Sequence, residues 1–219
     1  MKVELLSHYG SDEMIVNVAR VSYGKEVINY TPEQNAKLIK YLWNHGHTSP
    51  FRHPHLQFRV KCAVFVERQL FKHAVGVSVN SISGRYVDFS DEYYEVKYGG
   101  WRRQSKDSKQ GSDGALDMWA QIEADNVLYD SIKAAKAAYK KLLGLGVSKE
   151  QARMVLPLNL MTEFIWTGSL QAFLHMCSLR MKPDAQGETR DVVSKMYSLV
   201  ENIEGNPFKE TLANFNNKN

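Results

Sequence analysis

The chain has 219 residues, of which 43% are hydrophobic and 11% aromatic, so it can bury one substantial core in a single domain over residues 1–219. Its formal charge of +4 is too small to indicate a nucleic-acid binder and favours an anionic partner such as a phosphorylated small molecule. Two cysteines exclude a disulfide framework, and the lack of a signal peptide or of an apolar run of about 18 residues predicts a cytoplasmic protein.

The predicted elements mix strands and helices without a regular repeat. In chain order they are a strand at 1–6, helices at 14–21 and 31–46, a strand at 56–62, a helical segment at 63–73, helices at 115–143 and 148–157, a strand at 158–167, and helices at 169–179 and 184–200. Because no strand–helix–strand repeat connects them, we predict one compact α+β domain with a central sheet of antiparallel type flanked by helices.

Two helix starts carry the clearest local signals. Thr31 followed by Pro32 and Gln34 predicts an N-cap, a proline in the first turn and a capping box. Ser148 and Gln151 repeat the spacing of that box, and we expect a second one there.

Alternation and composition separate strands from loops in the middle of the chain. Residues 56–62 and 158–167 alternate apolar and polar side chains, which is the period of a half-buried strand. Residues 99–114 are polar and rich in glycine. They predict a mobile surface loop rather than a linker between domains.

Residues 67–86 (ERQLFKHAVGVSVNSISGRY) gather many hydrogen-bonding side chains around glycines. Their first part predicts the last turns of a helix, and residues 78–85 predict a loop. Lys72 and Arg85 suit a phosphate, and the serine and glycine at 83–84 offer a hydroxyl and accessible backbone amides. The alternative is a turn that leads into a strand with solvated serines, so this segment indicates an anion site only together with other residues.

Four histidines fall within residues 44–55 (NHGHTSPFRHPH). A metal site is one interpretation, but no carboxylate or cysteine accompanies them. Pro50 and Pro54 also break the helix that a pair of histidines four residues apart would need. We therefore expect no metal here, and instead a loop that caps a helix and lines a pocket.

Arg153, Arg180 and Arg190 stand among apolar residues. Burying an arginine is costly unless an anion meets it. That anion is either a bound ligand or a carboxylate of the chain, Glu163 or Asp184, and the sequence leaves both interpretations open.

Cys62 and Cys177 lie on apolar-patterned elements without a neighbouring base. Each is predicted to be a core residue rather than a nucleophile. The sequence contains no GxSxG, HExxH, Walker A or GxGxxG motif, so the common hydrolase, protease, kinase and Rossmann classes are excluded.

Several blocks along the chain are weak alone but highly specific in their order. They are ARVSY at 19–23, HGHTSPF at 45–51, VFVERQLFKH at 64–73, NSISGRY at 80–86, ARMVLPLN at 152–159, FIWT at 164–167, and SLR with AQ at 178–186. Together they resemble the flavin-dependent thymidylate synthases. The resemblance implies a homotetramer with sites shared between subunits, FAD as cofactor, and conversion of dUMP to dTMP with methylenetetrahydrofolate and NADPH as cosubstrates.

The same resemblance implies two sets of site residues. Arg180 is the implied catalytic residue, because a fixed cation that faces the pyrimidine favours ionisation at its N3 position. The residues implied to bind dUMP are Gln69, Leu70, Phe71, Lys72, Ser81, Ile82, Ser83, Gly84, Arg85, Arg153 and Arg180. Those implied to bind FAD are Ser22, His47, Ser49, Lys72, His73, Ala74, Asn80, Ser81, Ser169, Leu170, Gln171 and His175.

The chain departs from the family pattern chiefly on the flavin side. An Arg-His-Arg run in the family corresponds to Lys-His-Ala at 72–74 here, and Ser83 lies one position further along, which indicates an extra residue within 74–77. The resemblance therefore implies a divergent member with an altered flavin contact. Other positions that differ from the common family residues are Arg52, Ser81, Gln171 and His175.

Two alternatives remain open at this point. One is a flavin-dependent methylase or hydroxymethylase of another pyrimidine nucleotide, because Ser81, Arg153 and Arg180 suit either a uracil or a cytosine ring. The other is a nonenzymatic nucleotide- or nucleic-acid-binding protein, indicated by the basic run at 101–109 (WRRQSKDSK). That run contains one aromatic residue, which favours the enzyme.

Overall fold

A four-stranded antiparallel sheet forms the centre of the fold. The computed structural model describes residues 1–22, 24, 30–87, 91–109 and 111–217. The strands are β1 (Lys2–Tyr9), β2 (His55–Ala63), β3 (Val77–Ser81), β4 (Arg102–Gln104), β5 (Ser112–Ala115) and β6 (Met161–Ser169). The central sheet has the order β1-β2-β6-β3, with every pairing antiparallel, and β4 and β5 form a separate hairpin.

Eight helices surround this sheet in the described part of the chain. They are α1 (Asp12–Val21), α2 (Pro32–Asn44), α3 (Val64–Leu70), α4 (Met118–Gly144), α5 (Lys149–Ala152), α6 (Leu170–Arg180), α7 (Gly187–Glu201) and α8 (Lys209–Asn216), with 3-10 turns at Ser49–Arg52 and Arg153–Val155. The predicted α+β class with an antiparallel sheet and flanking helices is confirmed. None of the described helices is both long and apolar enough to cross a membrane.

The alternation predicted for the two central strands produces the core. Phe58 on β2 lies opposite Trp166 on β6, and Val60 lies opposite Phe164, all of them buried. Phe173 of α6 stacks on Phe58 at 5.7 Å between ring centroids. Burial of each such side chain contributes about 1.5–3 kcal/mol, so the pairing of β2 with β6 fixes the position of α6.

Capping decides where the predicted helices begin. Thr31 accepts a hydrogen bond from the Gln34 amide and the Gln34 side chain accepts from the Thr31 amide, which confirms the first capping box. The prediction of a second capping box is wrong, because no side-chain hydrogen bond caps α5 at Ser148. Asp117 caps α4 by accepting from the Ala120 amide at 2.9 Å, so this helix starts at Met118 and not at residue 115.

The β4–β5 hairpin occupies most of residues 99–114, where an irregular loop was predicted, and its second strand ends at Ala115. Its base is fixed to α4, because the backbone of Trp101 donates to and accepts from the Gln121 side chain at 3.0 and 2.9 Å. The indole of Trp101 donates to Asp125 at 2.7 Å. These contacts join distant parts of the chain, which the local composition does not report. The mobility of the segment remains a prediction.

The predicted loop at residues 78–85 begins as a strand. β3 pairs with β6 at the edge of the sheet, from Val77 opposite Gly168 to Ser81 opposite Phe164. Val77 and Val79 pack against the core while the polar residues between them face outward. An apolar pattern of only two valines is too short to indicate a strand from the sequence, and the strand is recognised only by its pairing with β6.

Helix α8 was not predicted, and a half-buried carboxylate of α1 binds its first turn. The Asp12 carboxylate accepts from the Glu210 amide at 2.6 Å and from the Thr211 hydroxyl at 2.5 Å. Burial raises the pKa of Asp12 against the lowering effect of these bonds. Both ends of the described chain are thereby joined, with Phe208 and Leu212 buried in the core.

Candidate active site

A cavity of about 940 Å³ opens where the β3 edge of the sheet meets the ends of α3 and α6. None of its described lining residues is acidic, whereas Arg52 and Lys72 are cationic. A concave site of this size with one sign of charge suits an anionic ligand of cofactor or nucleotide size. The lining consists of Arg52, His55, Lys72, His73, Ala74, Val75, Gly76, Val77, Ser78, Thr167, Ser169, Gln171, Ala172 and His175.

The N-terminus of α6 forms one wall of this cavity. Ser169 is its N-cap and accepts from the Ala172 amide at 3.2 Å. The Ser169 amide donates to the Gly76 carbonyl at 3.0 Å, which joins this helix end to the loop before β3. Gly76 has φ +72°, and a Cβ atom there would lie 3.2 Å from Ser169 Oγ. Glycine therefore gives both the required backbone conformation and the space beside the positive end of the helix.

Gln171 places a buried acceptor without a partner in the same wall. Its Oε1 atom has no hydrogen-bond partner within the described residues. The side chain also borders a smaller cavity of about 150 Å³, whose lining includes His47 and Thr48. A buried oxygen left unpaired costs free energy, so a ligand with a donor group would be favoured there.

His73 and Arg180 form a hydrogen bond beside the cavity. Arg180 Nε donates to His73 Nε2 at 2.9 Å, and the His175 ring lies 6.2 Å from the His73 ring at 74°. Burial, followed by the charges of Arg180 and His175, lowers the pKa of His73. The neutral imidazole accepts at Nε2, which fixes the direction of the guanidinium.

Arg180 has no carboxylate partner within the described residues. The ion-pair alternative named Glu163 or Asp184: Glu163 lies beside Arg59 at 3.8 Å, and no ion pair of Asp184 occurs among the described residues. Arg190 instead donates to the Pro183 carbonyl at 2.8 Å. No described carboxylate therefore neutralises the Arg180 charge, which is available to a bound anion.

A second basic group lies outside the lining of the cavity. Arg85 forms an ion pair with Glu150 at 3.3 Å, and Arg153 Nε donates to the Glu150 carbonyl at 3.2 Å. We call these three residues the Glu150 cluster. The Arg85 amide donates to Ser83 Oγ at 3.3 Å, so the turn at 83–85 is ordered by its own serine. Ser81 Oγ donates to Glu67 at 3.1 Å.

The residues predicted to bind ligands fall into distinct places. Of those predicted for FAD, the cavity gathers Lys72, His73, Ala74, Ser169, Gln171 and His175. His47 lines the smaller cavity, while Ser22, Ser49, Asn80 and Ser81 lie outside both linings. Leu70 and Leu170 are 1% and 0% exposed, so their side chains belong to the core and only their backbone atoms could reach a ligand.

Phe71 and Ile82, both predicted near dUMP, keep part of their surface exposed. The Phe71 side chain is 37% exposed and that of Ile82 is 48% exposed. Phe71 packs edge-on against Phe164 at 5.1 Å, so one face of its ring belongs to the core. Its other face and the Ile82 side chain remain accessible to a ligand.

The histidine-rich segment both caps a helix and lines cavities. His45 is the C-cap of α2, and its Nδ1 lies 2.8 Å from the Tyr41 carbonyl. His55 lines the large cavity and His47 the small one. No group of three or more potential metal ligands occurs among the described residues.

Both cysteines are buried and protonated. Burial raises the pKa of Cys62 to about 12 and that of Cys177 well above its usual value. Neither side chain is accessible to solvent. A thiolate nucleophile at neutral pH is therefore excluded at both positions.

Several cavity residues were absent from the predicted sites. His55 belongs to the histidine-rich segment for which a pocket was expected, so that signal was present. Thr167 and the backbone of 76–78 carry no such signal, because only the pairing of β3 with β6 brings them together. The residues missed are Arg52, His55, Val75, Gly76, Val77, Ser78, Thr167 and Ala172.

The fold and cavity describe an α+β protein with a pocket for an anionic ligand. Residues 4–204 match the family model described as thymidylate synthase complementing protein. A flavin-dependent thymidylate synthase of Thermus thermophilus is 44% identical over 198 residues, covering 90% of this chain and 70% of the relative. That of Kosmotoga olearia is 40% identical over 186 residues, covering 85% and 79%.

A solved structure gives the same result at the level of the fold. The UMP/dUMP methylase PolB from Streptomyces cacaoi, bound with 5-Br dUMP, superposes with a TM-score of 0.85 and 27% identity, over 98% of this chain and 94% of the other. The chain therefore belongs to the thymidylate synthase complementing protein family, and the predicted family is confirmed. Membership also confirms the prediction that the chain is a methyltransferase.

Proposed function

We propose that this chain converts dUMP to dTMP with FAD as cofactor, methylenetetrahydrofolate as one-carbon donor and NADPH as reductant. The observation that carries the proposal is the cavity free of described acidic residues, beside an Arg180 guanidinium to which no described carboxylate is paired. The names of the relatives support the flavin and the product. The bound analogue in the solved structure supports a pyrimidine nucleotide as substrate.

The large cavity fits a flavin through three features of its wall. The α6 N-terminus, capped by Ser169, offers a positive end to a polar or anionic edge. Gln171 Oε1 offers an unpaired acceptor to a ring N–H, and Lys72 offers a cation to a phosphate. Bound flavin supplies the redox and transfer chemistry, and these residues bind and orient it.

Arg180 is the proposed catalytic residue. A guanidinium held by neutral His73 presents its remaining N–H groups in a fixed direction. Placed against the pyrimidine, such a cation stabilises negative charge that develops when N3 loses its proton. Because no described carboxylate neutralises Arg180, this stabilisation is undiminished by a competing ion pair.

The nucleotide phosphate is the proposed partner of Lys72 and the Glu150 cluster. Arg85 and Glu150 are both more than half exposed on their side chains, so their ion pair contributes little stability. A phosphate carries more charge than a carboxylate and can bind Arg85 through two parallel hydrogen bonds. We therefore expect dUMP to replace Glu150 as the partner of Arg85.

A second copy of the chain is proposed to complete the site in a homotetramer. Within one chain the Glu150 cluster is not part of the cavity lining, although the cluster and the cavity residues are assigned to the same reaction. Helix α4 also exposes apolar side chains, with Trp119 75% and Val127 62% accessible. Light scattering coupled to gel filtration tests this directly: a monomer that remains active would overturn the shared site.

The absorbance spectrum of the purified protein is the most economical test. We expect bands of oxidised flavin, and dTMP formation from dUMP only when both the folate donor and reduced nicotinamide are supplied. Omission of each cosubstrate in turn is the control. Colourless protein that stays inactive after addition of FAD would overturn the proposal.

A second candidate is methylation or hydroxymethylation of another pyrimidine nucleotide. The likeness to a UMP/dUMP methylase favours it, since that enzyme is named for a ribonucleotide as well. The mass of the product formed from dUMP, UMP and dCMP under identical conditions separates the two candidates. A preference of more than about tenfold for UMP or dCMP in kcat/KM would favour the second.

A further inference from the structure

Five polar side chains connect the β4–β5 hairpin to the end of α3 by hydrogen bonds. Arg102 Nη2 donates to both oxygens of Glu188, at 2.8 and 3.0 Å. Gln186 Nε2 donates to Glu188 Oε2 at 3.1 Å, and Gln69 Nε2 donates to Gln186 Oε1. Thr189 Oγ1 donates to Gln69 Oε1 at 3.1 Å. We call this set the polar relay.

The direction of every bond in the polar relay follows from Glu188. An ionised carboxylate can only accept, so Gln186 turns its NH₂ group toward Glu188 and its oxygen toward Gln69. Gln69 must then turn its own NH₂ group toward Gln186. Its oxygen is satisfied on the other side by Thr189, which is fully buried.

Glu188 is held in its ionised form. Burial by itself would raise the pKa of this carboxyl, but hydrogen bonds from its own backbone amide, from Arg102 and from Gln186 keep the pKa below its usual value. Only 7% of the residue is exposed, so water does not replace these donors. A charged, buried acceptor therefore sets the polarity of the relay at neutral pH.

Arg102 reaches Glu188 because Gly187 leaves room for it. A Cβ atom at Gly187 would lie 3.0 Å from Arg102 Nη1 and 3.3 Å from Cζ. The guanidinium lies across the first turn of α7, while the neighbouring Trp101 fixes the hairpin to α4. The first arginine of the basic run thus pairs with a carboxylate of the same chain, although its side chain is 40% exposed.

We propose that Glu188 is a positioning residue that fixes Gln69 as a hydrogen-bond donor toward the nucleotide phosphate. The amide of Gln69 has two N–H groups, and Gln186 uses one of them. The second can donate beside Lys72, which follows three residues later, just beyond the end of α3. A dianionic phosphate can only accept hydrogen bonds, so a reversed Gln69 amide would place its carbonyl oxygen against a phosphate oxygen. This inference rests on the proposed function, which assigns Lys72 to the dUMP phosphate, and on the family resemblance, which assigns Gln69 to dUMP.

Glu188→Gln tests the polarity directly. Glutamine has nearly the same shape but can present either NH₂ or oxygen to Gln186, so the amide of Gln69 can reverse. We expect KM for dUMP to rise about five- to tenfold, the scale of one hydrogen bond, with kcat within about twofold and unchanged flavin absorbance. Glu4→Gln makes the same chemical change at a surface ion pair with Arg59 and should leave KM unchanged.

Two further variants distinguish positioning from a structural role. Gln186→Met interrupts the relay but keeps the Arg102–Glu188 pair, and should raise KM by a similar factor even if Glu188→Gln fails to fold. In a Gln69→Leu background, Glu188→Gln should add no further rise in KM. An unchanged KM in folded Gln186→Met, or a full additional rise in the double variant, would overturn the proposal.

Failure of the proposed function is distinguishable from failure of the relay. If wild-type protein binds dUMP but forms no dTMP, the reaction assignment fails, and calorimetric Kd values for dUMP replace KM in the same comparison of variants. If wild-type protein forms dTMP and both relay variants keep a wild-type KM, the relay fails while the function stands.

Discussion

The two halves of the segment at residues 69–86 differ in how ready they are for a ligand. The first half lines a cavity whose described wall has no acidic residue, and its His73 is held by Arg180. The second half follows the exposed sheet edge, where Ser81 contacts Glu67 and Arg85 contacts Glu150. Among the described residues, the groups of the first half have no carboxylate partner, whereas Ser81 and Arg85 in the second half already contact carboxylates.

The first half is therefore preorganised for a ligand, whereas the second half must exchange a carboxylate partner for the ligand. Groups that keep one geometry before and after binding lose little entropy when a ligand arrives. Groups that must release a carboxylate first can bind only a ligand with a stronger charge, which adds selectivity for phosphate. We therefore expect the first half to govern rate and flavin binding, and the second half to govern nucleotide affinity.

Replacing Arg180 should have the largest effect. Arg180→Ala is expected to lower kcat about 10²- to 10³-fold, because it removes the cation assigned to the pyrimidine. The free energy of unfolding should change by only about 1 kcal/mol, since a single hydrogen bond to His73 is lost. Stopped-flow measurement of flavin reoxidation with saturating dUMP gives the rate, and Arg180→Lys serves as the charge-retaining control. A normal rate in Arg180→Ala would remove its assigned role.

Arg85 probes the second half. Arg85→Ala should raise KM for dUMP about tenfold to a hundredfold, the scale of a charge-assisted hydrogen bond, with kcat nearly unchanged. Glu150→Gln releases the same arginine from its ion pair and should leave KM equal or lower. Steady-state kinetics at constant ionic strength measures both. Equal KM values in Arg85→Ala and wild type would place the phosphate elsewhere.

Gly76 probes the first half through its backbone. Gly76→Ala should cost about 1–2 kcal/mol of stability because φ is +72°. It should also weaken FAD about tenfold, since the new methyl group narrows the cavity beside Ser169. Gly205→Ala is a matched control, with φ +70° and no atom within 4 Å of the added Cβ. Thermal melts and flavin titration report the two effects, and equal FAD affinity in both variants would contradict the cavity assignment.

The smallest expected effect is a pH dependence from His73. The pKa of His73 in the folded protein lies below its ordinary value, so folding favours the neutral imidazole. The free energy of unfolding is therefore fully maintained above about pH 6.5, the ordinary pKa of histidine, and decreases as the pH falls through the folded pKa. Protonation also removes the acceptor for Arg180, so kcat should fall several-fold on the acid side. His73→Gln keeps an acceptor that does not titrate, and its pH–rate profile should lack this acid limb. An identical limb in both proteins would assign it to another group.

Local patterns predicted most of the central elements of this fold. Thr31 caps its helix as expected, and the alternation of 56–62 and 158–167 identified the two central strands to within a few residues. These signals are local, because capping and periodicity depend on neighbours in sequence. The order β1-β2-β6-β3 is not local, since it depends on which strand edges pair.

The candidate site was predictable where side chains carry charge or distinctive chemistry. The sequence assigns Lys72, His73 and His175 to the same set of FAD-binding residues, and all three line the cavity. The role of Gly76 and Thr167 could not be predicted, because it arises from the pairing of an edge strand with β6. The polar relay joins 69, 102 and 186–189, and no local pattern relates such distant positions.

The two buried thiols allow local unfolding of the protein to be measured by cysteine labelling. Alkylating reagents require a thiolate in contact with solvent, and neither Cys62 nor Cys177 offers one in the native state. Labelling of either sulfur therefore measures how often the sheet or α6 separates from the core. A cysteine introduced on the hairpin would carry a fluorophore without competing sites, so the motion of residues 99–114 can be followed in an otherwise native chain.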